Sequence, residues 1–348
     1  MFYRLNMKVS IIIPCYKGES FVADILQDVV QQTYQNWELI VVGNGLEQEA
    51  QKKIVDKFLE KDNRIRYVSV LKKGVSYARN RGIDESSGEW IAFVDVDDRL
   101  PANWMERFLS HSSRRPDIIT GGIVYRNTIR GSLVYDDLQL DLDEVYSERP
   151  EEFVSVYLSN MAVSYSPCTK MYNARFLKES GIRFKENISV YEDGIFNLEL
   201  LSVCNSICFF RQTGYEYCLH PESSAIGRFH PKMEQAVFFR RLQMLAVLRR
   251  GGFSREYVDF RMAQLLLSDS LDIFLNEYRR GSMSNVFAKR RLLKSLFASS
   301  ELHKAFRIVR PSKKNLPLVL FRFFYFIRMN FVCVVIFHIL FVVRKIWR

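Results

Sequence analysis

The sequence predicts an α/β protein: a Rossmann-like, doubly wound sheet followed by a helical C-terminal region. Three observations predict it. Four short apolar runs alternate with helical patterns in about the first hundred residues. Turn residues and acids follow the ends of those runs, and from Pro231 onward the apolar spacing is helical almost throughout.

At 348 residues and 48% apolar content, the chain can bury one large core or two modest ones, and two domains are expected. Its six cysteines form no Cys-x-x-Cys and do not pair with the five histidines, which speaks against a zinc site or a disulfide scaffold. The net charge of +11 is unevenly placed. Residues 241–348 hold 21 Lys+Arg against 6 Asp+Glu, whereas residues 1–240 hold 29 against 33.

Taken in order, residues 1–7 form a loose leader, and Val9-Ser10-Ile11-Ile12-Ile13-Pro14 is a strand covered on both faces and stopped by proline. Phe21, Val22, Ile25, Leu26, Val29 and Val30 recur at helical spacing, and 37–42 is a second strand ended by Gly43-Asn44-Gly45. A charged helix over 48–61, a strand over 65–70, a helix over 75–85 and a strand over 89–94 follow. In such a sheet the ligand lies beyond the carboxyl ends of the strands. Pro14-Cys15-Tyr16, Gly43-Asn44-Gly45 and Asp95-Val96-Asp97-Asp98 should therefore meet around one crevice. Downstream, a strand over 117–125 leads to a hairpin tip at Arg130-Gly131-Ser132, and 136–152 is acidic and weakly patterned, hence a loop. A helix near 174–180 precedes Tyr191-Glu192-Asp193-Gly194, which stands at the start of a helix over 195–203. Helices over 233–250, 254–279 and 283–300 occupy the C-terminal third.

Three carboxylates leaving one buried strand repel one another, so Asp95, Asp97 and Asp98 imply a compensating cation. All-oxygen ligation suits Mg2+ or Mn2+, which need few protein carboxylates when a phosphate supplies the rest. A solvated acidic turn capping the helix that Pro101 begins accounts for the same residues. Glu192 and Asp193 likewise suit either simple capping of a helix N-terminus or catalysis.

Joined in order, Ser10-Ile11-Ile12-Ile13-Pro14-Cys15-Tyr16, Gln32-Thr33-Tyr34-Gln35-Asn36-Trp37-Glu38, Gly74-Val75-Ser76-Tyr77-Ala78-Arg79-Asn80-Arg81-Gly82, Ser87-Gly88-Glu89-Trp90 through Asp95-Val96-Asp97-Asp98, and Glu192-Asp193 resemble the family 2 glycosyltransferases over residues 8–225. The resemblance implies a GT-A fold, a nucleotide-sugar donor (a UDP-sugar in the first instance), a Mn2+ or Mg2+ ion, and inverting transfer to a hydroxyl of a glycan or lipid-linked saccharide. By the same resemblance Asp97 and Asp95 bind the metal, with Asp95 also close to the ribose. Pro14, Tyr16 and Glu19 form the first nucleotide-contacting loop, Arg79 and Val96 help hold the nucleotide, and Asp193 is the general base beside Glu192. Two departures stand out. Gly43-Asn44 occupies the place of an acidic pair, so Asn44, a donor and an acceptor, could bond a uracil edge or another base. Lys17 replaces an asparagine. His220, where some relatives contact the metal or diphosphate, is as readily an ordinary polar loop residue.

The resemblance and the charge division together give a catalytic domain over 1–230 and a basic helical region over 231–348. Within the latter, 316–343 is the least polar span but is interrupted by Arg322, Arg328, Asn330 and His338. A clean transmembrane helix is not expected there. The expectation is a membrane-interface segment on an anionic surface, with internal packing or a dimer contact as the other readings. No basic-then-apolar leader opens the chain, so the expected setting is cytoplasmic, peripheral on the inner face of the plasma membrane. A catalytically silent nucleotide- or glycan-binding module using the helical tail for assembly is the alternative, and a homo-oligomer is compatible with either. A nucleic-acid role is disfavoured, because the apolar run would be wasted on it.

Overall fold

The computed structural model describes residues 6–129, 131–160, 165–220, 228–310, 315–327 and 329–346. Arg130 of the expected hairpin tip and most of the expected leader lie outside the described residues. The chain divides into two compact units, residues 1–222 with 250–252, and residues 223–249 with 253–348.

The first unit is built on a nine-stranded sheet. Its first half follows the expected alternation: β1 (Val9–Cys15), α1 (Val22–Val30), β2 (Trp37–Asn44), α2 (Glu49–Leu59), β3 (Ile65–Val70), α3 (Val75–Glu85) and β4 (Trp90–Phe93). These strands lie in the order β3-β2-β1-β4 and are all parallel. Every residue of β1, β2 and β4 is buried, which is why their sequences are nearly unbroken apolar runs. Pro14 does not stop β1, contrary to expectation; it pairs with Val42 inside the strand. Its missing N–H falls on the β4 side, where the ladder has already ended at Ile12 and Phe93, so no hydrogen bond is lost. With β2 and β4 on opposite sides of β1, the strand order reverses there, and a crevice opens beyond the ends of β1 and β4.

The second half comprises α4 (Trp104–Leu109), β5 (Ile118–Asn127), β6 (Leu133–Asp136), β7 (Glu144–Ser147), α5 (Pro150–Ser159), β8 (Lys170–Asn173), α6 (Ala174–Glu179), α7 (Glu192–Leu201) and β9 (Ile207–Leu219). β5 and β6 form the expected antiparallel pair. The stretch 136–152 is not wholly a loop: β7 pairs antiparallel with β9, and α5 begins at Pro150. A four-residue edge strand that begins on a charged residue is too short to show alternation, so only its partner reveals it. β8 runs antiparallel between β4 and β5, which makes the sheet mixed.

The second unit is helical: α8 (Met233–Arg250), α9 (Arg255–Asn276), α10 (Val286–Ala298), α11 (Ser300–Ile308), α12 (Leu316–Phe326) and α13 (Asn330–Ile346). The helix expected over 283–300 is α10, and a further helix, α11, follows at once because Ser299 turns the chain and caps it through its side chain. Leu267, Phe274, Leu293, Phe306, Phe321 and Phe337 anchor this unit's core. One face of α12 and α13 is thus packed internally. Among the described residues, no helix is long and apolar enough to cross a membrane.

Candidate active site

The structure brings the two distant acid groups together through an arginine. Arg79, buried on α3, donates from Nη2 to Asp95 Oδ1 at 2.8 Å and from Nη1 to Asp193 Oδ1. It does not pair with Asp84 or Glu85, which are engaged by Arg183 and by Arg66 and Arg81. Aromatic packing sets this geometry. Phe196 of α7 stacks on Phe184 with ring centroids 3.8 Å apart, and both meet Phe93 at the end of β4 edge-on. The helix that begins with Glu192 and Asp193 is therefore fixed beside the strand that ends at Asp95. Asn80 of α3 holds the Phe184 backbone on both sides, and Asn197 Nδ2 donates to the Asp193 carbonyl.

The acids differ in environment. Burial and the neighbouring Asp193 push the Glu192 carboxyl up to about 7. Asp193 is raised too, by burial, although Arg79 acts against the rise. Asp98 is buried and accepts from the Tyr215 hydroxyl and the Cys218 N–H, so it is a scaffold residue. Tyr215 O in turn accepts from the Asp95 N–H at 3.0 Å. Asp97 is raised by burial and by Asp95, and no cationic side chain pairs with it among the described residues. Its carbonyl oxygen lies 3.3 Å from His220 Nε2, so the histidine stands next to the acids after all.

The remaining predicted residues ring the same strand ends. Val96 presses on Gly18, where an added Cβ would lie 2.8 Å from Cys15 Sγ and 3.0 Å from Val96 Cγ2. The Tyr16 ring sits against Gly45 and under Lys73, whose ammonium is 4.3 Å from its centroid, so the loops after β1, β2 and β3 converge on it. Asn44 closes β2, is buried, and its Oδ1 has no hydrogen-bond partner among the described residues. Lys17 pairs at the surface with Glu47, and Glu19 is exposed.

Sequence reasoning missed Lys170. It is fully buried on β8, donates to the Ser166 carbonyl at 2.6 Å, and is lowered to about 7 by burial, with Cys168 and Asp193 opposing. A lysine inside a sheet is the available signal, but only the fold shows that it is inside. Among the described residues, the one group of three potential metal ligands close together is His111, Glu144 and Cys208, away from these acids.

A parallel-sheet switch point lined by aspartates, with a second acid pair tied to it by an arginine, defines an α/β group-transfer enzyme. The comparisons give the family. Residues 10–181 match the model described as glycosyl transferase family 2. The putative glycosyltransferase EpsH of Bacillus subtilis is 23% identical over 285 residues, 81% of either chain. The poly(ribitol-phosphate) beta-N-acetylglucosaminyltransferase TarS of Staphylococcus aureus is 22% identical over 285 residues, 81% of this chain and 46% of that one. The crystal structure of S. aureus TarS 1-349 in complex with UDP-GlcNAc superposes with a TM-score of 0.62 at 18% identity, covering 92% of this chain and 91% of that one. The chain belongs to glycosyltransferase family 2. It is a glycosyltransferase with a GT-A fold followed by a helical C-terminal region.

Proposed function

We propose that the protein transfers a sugar, with inversion, from a nucleotide-diphosphate sugar to a hydroxyl of a glycan or lipid-linked saccharide, as in surface polysaccharide synthesis. The observation that carries this reading is the Arg79 bridge from Asp95 to Asp193, which places a donor-side acid and a candidate base on one guanidinium. UDP-sugar is the favoured donor. The UDP-GlcNAc complex of TarS supports it by likeness of fold, and the unpartnered Asn44 amide oxygen supplies a polar group for a base edge. Pro14, Tyr16, Glu19 and Val96 would line the nucleotide's path, with Tyr16 offering a ring face.

The acids after β4 fit a divalent ion. Asp97 is a half-buried carboxylate without a cationic partner among the described residues, and Asp95 has an oxygen beyond the one on Arg79. Two carboxylates suffice for Mn2+ or Mg2+ when the donor's phosphates complete the shell. Such an ion would neutralise charge on the departing diphosphate. The chain's own residues do the rest. Asp193 takes the acceptor's proton as that oxygen bonds the anomeric carbon and the bond to the diphosphate breaks. Arg79 orients Asp193, while burial and Asp95 keep it basic. Action at the cytoplasmic face of the membrane follows from the lipid-linked class of acceptor and the basic helical unit.

Titrating Mn2+ against the protein with UDP, GDP and CDP tests the donor site. Metal-dependent binding of UDP is the expected result; absence of binding with all three overturns the assignment.

A further inference from the structure

Residues 281–348 contain 14 Lys+Arg and a single acid, Glu301. The same segment exposes Phe323, Phe326, Ile327, Met329 and Phe331, each 40–55% exposed, around the turn that joins α12 to α13. The opposite faces of these helices already fill the unit's core, so packing does not account for the outward ones. Beside this turn lies a cleft of about 460 Å³. Phe297, Tyr325 and Phe326 form its apolar wall, and Lys294, His303 and Asn330 supply its polar groups. Among the described residues, no carboxylate lines it. His303 Nδ1 lies 2.7 Å from the Tyr325 hydroxyl; with Tyr325 donating, the ring keeps its proton on Nε2 as a donor.

We propose that this cleft seats the phosphate of an anionic phospholipid, with the aromatic residues of the α12–α13 turn entering the membrane interface around it. The inference rests on reading the helical unit as membrane-facing and assigns the contact to particular residues. A donor-rich cleft without acids suits a phosphate oxygen. Exposed phenylalanines beside it suit the headgroup–acyl boundary. A free phosphate would gain nothing from that apolar rim. A second copy of the chain would set one strongly basic segment against another, which the charge balance opposes.

Flotation of the full-length chain with vesicles of phosphatidylcholine, alone or mixed with phosphatidylglycerol, tests the proposal. Binding is expected only with phosphatidylglycerol and should weaken as salt rises. Lys294→Gln, an exposed change, should weaken it about fivefold. Phe331→Ser should weaken it about tenfold, with circular dichroism confirming that the helices remain. Equal flotation on neutral vesicles, no flotation on either, or both variants floating like the parent overturns the proposal. So does Lys294-dependent binding of inorganic phosphate without vesicle binding, which would mark a free-phosphate site. UDP binding is measured on the same samples. Loss of flotation with UDP binding intact removes only the lipid site, and the reverse removes only the donor site.

Discussion

Arg79 and Asp193 stand 114 positions apart in the chain and form an ion pair, with the same guanidinium holding Asp95. Arg79 is buried, whereas each acid keeps roughly a third of its side chain exposed. Arg79→Met would leave two neighbouring carboxylates uncompensated. Solvent reaches both, so the cost is set below that of a fully buried pair, at about 2–4 kcal/mol. Thermal unfolding should show the loss, and Arg79→Lys should recover only part of it, because one ammonium cannot span both acids as the fork does.

Asp193→Asn keeps the shape of the base and removes its proton affinity. Turnover should fall by about 10²–10⁴-fold, while nucleotide binding, measured by calorimetry, stays near that of the parent. Retained turnover would take Asp193 out of the base role.

Glu192 and Asp193 titrate as a pair, with the raised value for Glu192 near 7. A base must be ionised, and burial raises the Asp193 carboxyl, so the rate should rise with pH through an apparent pKa above the ordinary carboxylate value. Glu192→Gln removes the like charge and should shift that limb to lower pH. The stability effect has the opposite sense. A carboxyl raised from 4.5 to about 7 on folding contributes fully below pH 4.5, and its contribution is lost as pH rises through 7. Denaturant melts across that window should show the parent losing stability relative to Glu192→Gln.

What the sequence discloses depends on how local the cause is. The strands β1, β2 and β4 were legible because burial on both faces forces unbroken apolar runs. β9 was not, since its thirteen residues mix exposed Arg211 and Tyr217 with buried Phe209 and Tyr215, and its register against β5 shifts twice. The acids could be named from their order in the chain, but their meeting on Arg79 depends on Phe184 and Phe196, which no local pattern links to Asp95. Lys170 was invisible for the same reason: its burial comes from the neighbouring strands.

Asp97 should be destabilising until a cation arrives. Burial and Asp95 both raise its carboxyl, so ionising it at neutral pH costs stability. Asp97→Asn should therefore raise the metal-free melting temperature. It should also abolish the upward shift that Mn2+ with UDP gives the parent. A parent melting curve indifferent to Mn2+ and UDP together would exclude Asp97 as a ligand.

Gly43 stands where an acidic residue was expected from the family resemblance, and the structure supplies a reason. A Cβ at Gly43 would overlap the Tyr67 hydroxyl, which donates to Gln48 Oε1 at 2.9 Å. Gln48 also donates to the Gly45 and Val70 carbonyls, tying the loop after β2 to the end of β3. Tyr67 thus fills the space beside Asn44 that a side chain at position 43 would need. Gly43→Ala should destabilise by about 1–3 kcal/mol through overpacking. Because the nearest clash is with the Tyr67 phenol, with Gln48 Oε1 next at 2.6 Å, Tyr67→Leu should relieve part of it in the double variant, and the coupling between the two changes should be favourable. Additive losses in thermal unfolding would show that the phenol is not what demands glycine here and would leave the Gln48 amide as the obstacle.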